Sequence, residues 1–80
     1  MTADEIIKSV ARSNGIALSD LRNPCRARRY SWPRQEAMWR LRRERALSWQ
    51  QIANLVGVSD HTTVIHGYRA YEQRIKDGVQ

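Results

Sequence analysis

The stretch from Ser48 to Tyr71, SWQQIANLVGVSDHTTVIHGYRAY, constrains the chain more than any other. Ser48 with Gln51 three residues on is a capping box, in which the serine hydroxyl takes an orphan backbone N–H and the glutamine reaches back to the cap. The apolar stripe Ile52, Ala53, Leu55 and Val56 then stops at Gly57, the residue that most cheaply adopts a left-handed conformation. Val58 closes the turn from beneath, and Ser59 or Asp60 caps a second helix whose inward positions are Val64, Gly67/Tyr68, Tyr71 and Ile75. Two helices joined by so short a Gly-containing turn form a helix-turn-helix. Its second helix is built to enter the major groove with its N-terminal residues at the base edges.

The rest of the chain reads as support. Thr2 or Asp4 caps a first helix carrying Ile6, Ile7, Val10 and Ala11, ending at Asn14-Gly15. Ser19-Asp20 is expected to cap one helical turn beside Leu18 and Leu21, closed by Asn23-Pro24. Arg22 to Ser31 then holds arginines at 22, 26, 28 and 29 with no acid and no burying periodicity, the pattern of a basic loop. Trp32-Pro33 is expected to open a third helix running to about Arg45, since proline suits the first helical position. Ala37, Met38 and Leu41 form its inner stripe, bordered by Trp32 or Trp39, and an i,i+4 pair from Glu36 to Arg40 is expected on its outer face. The last helix ends near Asp77-Gly78. The chain thus reads as one all-α domain over residues 1–80.

Eighty residues bury a small core and leave no room for an active-site cleft with a lid. A formal charge of +6 points to a polyanionic partner, and of 14 basic residues only Lys8 and Lys76 are lysines. Arginine is the residue of bidentate phosphate and guanine recognition. The single Cys25 precludes an intramolecular disulfide and has no second thiol at metal-ligand spacing, so a reducing cytoplasmic compartment and no structural zinc are expected. Neither a secretory leader nor a membrane span is visible in the sequence.

With these residues in place a specific likeness emerges. WPRQEAM at 32–38, SWQQIANLVG at 48–57 and DHTTVIHGYRAYEQ at 60–73 resemble the C-terminal DNA-binding domain (domain IV) of the bacterial replication initiator DnaA, from about Thr2 to Arg74. The resemblance implies an all-helical, Trp-repressor-like helix-turn-helix domain that reads the asymmetric nine-base-pair DnaA box, or a relative of it, as a duplex. Carried over by position, Arg26 falls on the basic-loop arginine that enters the minor groove, with Arg28 in the same loop. Ser59, Asp60, His61, Thr62 and Thr63 fall at the base-reading end of the recognition helix, and Arg34, Gln35, Arg42 and His66 on positions associated with the sugar-phosphate backbone. The chemistry suits these roles: a carboxylate accepts from cytosine N4, threonine methyls pack on thymine methyls, and guanidinium groups suit phosphates or a narrow minor groove.

The chain departs from the family pattern in places. Ser59 stands where a basic residue is common, Arg40 where an apolar one is usual, and Trp39 and Trp49 are large, so altered site specificity is expected. Neither GxxxxGK[ST] nor a Gly-rich turn after a strand is present, so no nucleotide cofactor is expected and no ATP hydrolysis. His61 and His66, five residues apart, do not share a helical face, which disfavours metal binding and catalysis. The expected partner is double-stranded DNA, bound by a monomer at the nucleoid, with no small-molecule substrate and no membrane; regulatory proteins are a further expected contact. Alternatives that sequence leaves open are a small phage- or mobile-element-type transcriptional regulator and a protein-interaction module derived from the DnaA domain. Met1 favours a free-standing protein over an excised domain.

Overall fold

The computed structural model describes residues 1–23 and 27–78 and contains five helices among them. Thr2 starts the first, α1 (Ala3–Ser13), with a complete capping box: its hydroxyl accepts from the Glu5 N–H while Glu5 accepts from the Thr2 N–H. Ile6, Ile7, Val10 and Ala11 form its buried side. After the turn at Asn14-Gly15, Ile16 enters the core and α2 (Leu18–Leu21) makes one turn. Its cap is Ala17, whose carbonyl accepts from Asp20 and Leu21, so Ser19 and Asp20 lie inside the turn rather than capping it. Full burial of Leu21, not a side-chain cap, sets this turn.

The third helix begins earlier than its proline suggests. α3 (Arg28–Arg45) starts at Ala27, which accepts the N–H groups of Tyr30 and Ser31, so Arg28 and Arg29 belong to a helix and not to the basic loop. Pro33 sits inside the helix, where it forfeits one intrahelical hydrogen bond. Two tertiary contacts favour the extra turn: Tyr30 packs half-buried against the core, and Arg34 Nε donates to the Leu21 carbonyl at 2.8 Å. Pro33, Arg34, Ala37, Met38 and Leu41 are the buried residues of α3. Arg40 pairs with Glu44 at 2.8 Å, while Glu36 accepts from Asn14 Nδ2, so the expected Glu36–Arg40 pair is replaced by one in the next turn. Ala46 ends the helix at φ 52°, in the left-handed region.

α4 (Trp49–Val56) opens on the expected Ser48–Gln51 box and buries Ile52, Ala53 and Val56. Gly57 adopts φ +80°, and a Cβ there would lie 2.8 Å from the Arg22 carbonyl oxygen, so both conformation and space require glycine. The Val58 N–H returns to the Ala53 carbonyl and its side chain packs on the core. Asp60 caps α5 (His61–Lys76), which lies across α3 and α4. Gly67 is buried against α3; a Cβ there would come within 2.4 Å of Met38 Sδ, so the missing side chain lets the two helices close. Ile75, expected on the inner side, is 40% exposed because α5 has run past the core by then.

Candidate nucleic-acid interface

The turn after Gly57 delivers the N-terminal end of α5 to the surface. Ser59, Asp60, His61, Thr62 and Thr63 are all exposed, while the next residue, Val64, is completely buried. Val64 and Gly67 anchor the helix, and its first turn projects free of the core. Asp60 Oδ1 accepts from the Thr62 N–H at 2.9 Å. That backbone hydrogen bond, with smaller help from His61 and His66, holds the Asp60 carboxyl below its ordinary value. Asp60 therefore has a structural duty at the cap in addition to any base contact. His61 Nδ1 stands 3.7 Å from the same oxygen.

Three further candidates meet Thr63 beside this end. Arg34, Gln35, Thr63 and His66 line one cleft between α3 and α5, together with Ser31, which the sequence did not single out. They reach it in different states. His66 and Thr63 are exposed, whereas Arg34 is only 7% exposed and is tied to Leu21. Gln35 Oε1 accepts from Arg74 Nη1, which locks it to α5. Arg42 lies apart: Nη1 donates to the Leu47 carbonyl at 2.7 Å, and its guanidinium sits 4.2 Å over the Trp49 ring. Arg34, Gln35 and Arg42, expected at the sugar-phosphate backbone, each hold an intramolecular bond in the chain without DNA. Arg28 is exposed at the start of α3, 5.1 Å over the Trp32 ring. Arg26 lies outside the described residues.

Helical spacing could have found one more residue. Thr62, His66 and Arg69 recur at i, i+4 and i+7, so they form one stripe, and all three are exposed. Arg69 makes no hydrogen bond or ion pair among the described residues, which leaves it a cation next to the candidate base-reading end. No group of three His, Cys, Asp or Glu capable of holding a metal occurs among the described residues. No helix among them is long and apolar enough to cross a membrane.

A short capped helix, a left-handed glycine turn and a longer helix presented by its N-terminal end define a helix-turn-helix domain. The particular family follows from comparison: residues 3–70 match the model described as "Bacterial dnaA protein helix-turn-helix", and the chain belongs to that family. It is 39% identical over 79 residues to the chromosomal replication initiator protein DnaA of Roseobacter denitrificans, an alignment covering 98% of this chain and 17% of that protein. The DnaA protein of Herpetosiphon aurantiacus is 43% identical over 68 residues, 85% of this chain and 14% of that protein. For the DnaA of Thermomicrobium roseum the figures are 35% over 80 residues, 100% of this chain and 17% of that protein. The chain thus spans a small fraction of the length of the curated relatives it matches. No solved structure is a significant match to the chain.

Proposed function

We propose that the chain binds duplex DNA sequence-specifically at sites related to the DnaA box, as a monomer, and thereby regulates replication initiation or transcription. In this reading Asp60, His61, Thr62 and Thr63 meet base edges in the major groove, with Ser59 at their margin, and Arg26 enters the adjacent minor groove. Arg28, Arg34, Gln35, Arg42 and His66 face the backbone, joined by Arg69. The reading rests chiefly on one observation: the first turn of α5 stands exposed while Val64 and Gly67, directly behind it, are buried. Short polar side chains on a fixed helix end suit base-edge contacts, which specify sequence while phosphate contacts position the protein. The relatives' name, chromosomal replication initiator protein, supports a role at origins over one at promoters.

Fluorescence anisotropy with box-bearing and scrambled duplexes at two salt concentrations tests the proposal. Steep weakening with salt is expected, since each phosphate contact releases counterions, together with a preference for the box of at least about a thousandfold. Equal affinity for both duplexes contradicts the sequence-reading role. Chromosome-wide occupancy separates the biological roles: peaks at the origin support replication control, and peaks confined to promoters support transcription.

A further inference from the structure

Between α3 and the C-terminal half of α5, cations and aromatic rings form one continuous series of contacts. Arg43 lies 5.2 Å over Trp39, whose ring is 5.5 Å from that of Tyr71. Arg74 lies 5.3 Å over Tyr71 and 4.2 Å over Trp32, and Arg28 covers Trp32 again at 5.1 Å. The three aromatic residues are half-buried. The Trp32 end of this ladder opens into a cleft of about 420 Å³ lined by Arg28, Arg29, Trp32, Glu36, Tyr71 and Arg74 among others. This is the larger of the two clefts described, and the two share no lining residue. Along α5, Arg74 lies about 16 Å beyond Thr63, at 1.5 Å per residue, so a ligand here need not touch a duplex held at the other end.

Stacking rings edged with guanidinium groups are the means by which proteins hold unpaired bases, with the cations following the backbone. Arginine planes serve as stacking partners in the same way. Arg29 is exposed and can turn toward a phosphate, whereas Arg74 is half-buried and held by its bond to Gln35. Glu36 is the one acid among the described residues of the wall, suited to the amino and imino donors of a base edge and unsuited to a bare polyanion. Arg74 Nε and Trp39 Nε1, both on the ladder, are buried donors without a hydrogen-bond partner among the described residues. These groups have more donor capacity than the fold uses.

We propose that this cleft is a second nucleic-acid site, which stacks an unpaired base on Trp32 and binds its phosphate through Arg29, leaving Arg28 to the duplex backbone. The shared chemistry is a nucleobase carrying phosphate, presented either within a single strand or as a free mononucleotide. The site operates alongside duplex bound at α5 and does not depend on which duplex sequence α5 prefers.

The test is a titration of labelled oligo(dT) ten-mer, AMP and GMP against the protein already saturated with duplex, followed by anisotropy and tryptophan fluorescence. Trp32→Leu is the first variant; Tyr71→Leu is the second, used if the first does not fold, with melting temperature and duplex affinity measured for both. Saturable binding in the presence of duplex, weakened about five- to 150-fold by either variant while duplex affinity is unchanged, supports the site; that range is the fold-change of one base–aromatic stack. Saturation by AMP or GMP assigns free nucleotide as the ligand, and saturation by the ten-mer alone assigns a strand. The proposal is overturned if duplex displaces the ten-mer, if neither folded variant weakens it, if no probe saturates, or if inorganic polyphosphate binds as well as the ten-mer.

Discussion

α3 and the first turn of α5 are both candidate DNA-facing elements, and they handle their polar side chains in opposite ways. α3 carries most of the chain's arginines, yet Arg34 is buried on the Leu21 carbonyl, Arg40 is paired with Glu44, and Arg42 is spent on Leu47 and Trp49. The start of α5 has no arginine and leaves five consecutive short polar residues exposed. The contrast teaches that formal charge is a poor guide to available charge. A guanidinium with five donors is as useful for tying loops to helices as for meeting phosphate.

Breaking the contrast should have its largest effect at Arg34. Arg34→Ala leaves a cavity and an orphaned carbonyl, and should cost about 3 kcal/mol of stability in urea unfolding of the free protein. An unchanged unfolding midpoint would contradict the structural duty of Arg34. Next, Thr62→Ala and Thr63→Ala should each lose roughly 1–3 kcal/mol at the cognate duplex only, as measured by anisotropy, and should melt like the parent. A matched loss on scrambled duplex would remove α5 from the base-reading role.

A pairwise comparison of Arg42→Ala with Arg69→Ala sharpens the distinction between spent and available cations. Arg42→Ala should lower stability by about 1–2 kcal/mol through its lost hydrogen bond and ring contact. Arg69→Ala should leave stability intact and flatten the slope of log affinity against log salt by about 0.9, one phosphate contact. The smallest effect concerns the cap. Because Asp60 is held below its ordinary value of 3.8, its contribution to folding is complete above that pH and disappears as acid titrates the folded carboxylate. Asp60→Asn should therefore reduce the loss of melting temperature between pH 5 and pH 3 seen in the parent; an identical acid profile would mean the carboxylate is not the cap's titrating group.

What the sequence revealed and what it concealed divide by the range of the contacts involved. The Ser48–Gln51 box, the Gly57 turn and the Asp60 cap are made by hydrogen bonds to neighbours two to four residues away, so their residue types announce them. The early start of α3 is settled by Tyr30 on the core and by Arg34 reaching back 13 residues to Leu21, contacts that no local pattern encodes. Proline's preference for a first turn misled for the same reason. Gln35 is likewise committed to Arg74, 39 residues away. Arg69 was legible from helical periodicity, since it continues the stripe from Thr62 through His66.

Backbone amide chemical shifts of the protein titrated with a box-bearing duplex test the central claim most directly. The largest changes should fall on residues 59–63, His66 and Arg69, with the buried side of α1 at Ile6, Ile7 and Val10 nearly silent. A footprint centred on α1 and α2, with Asp60 to Thr63 unmoved, would contradict it.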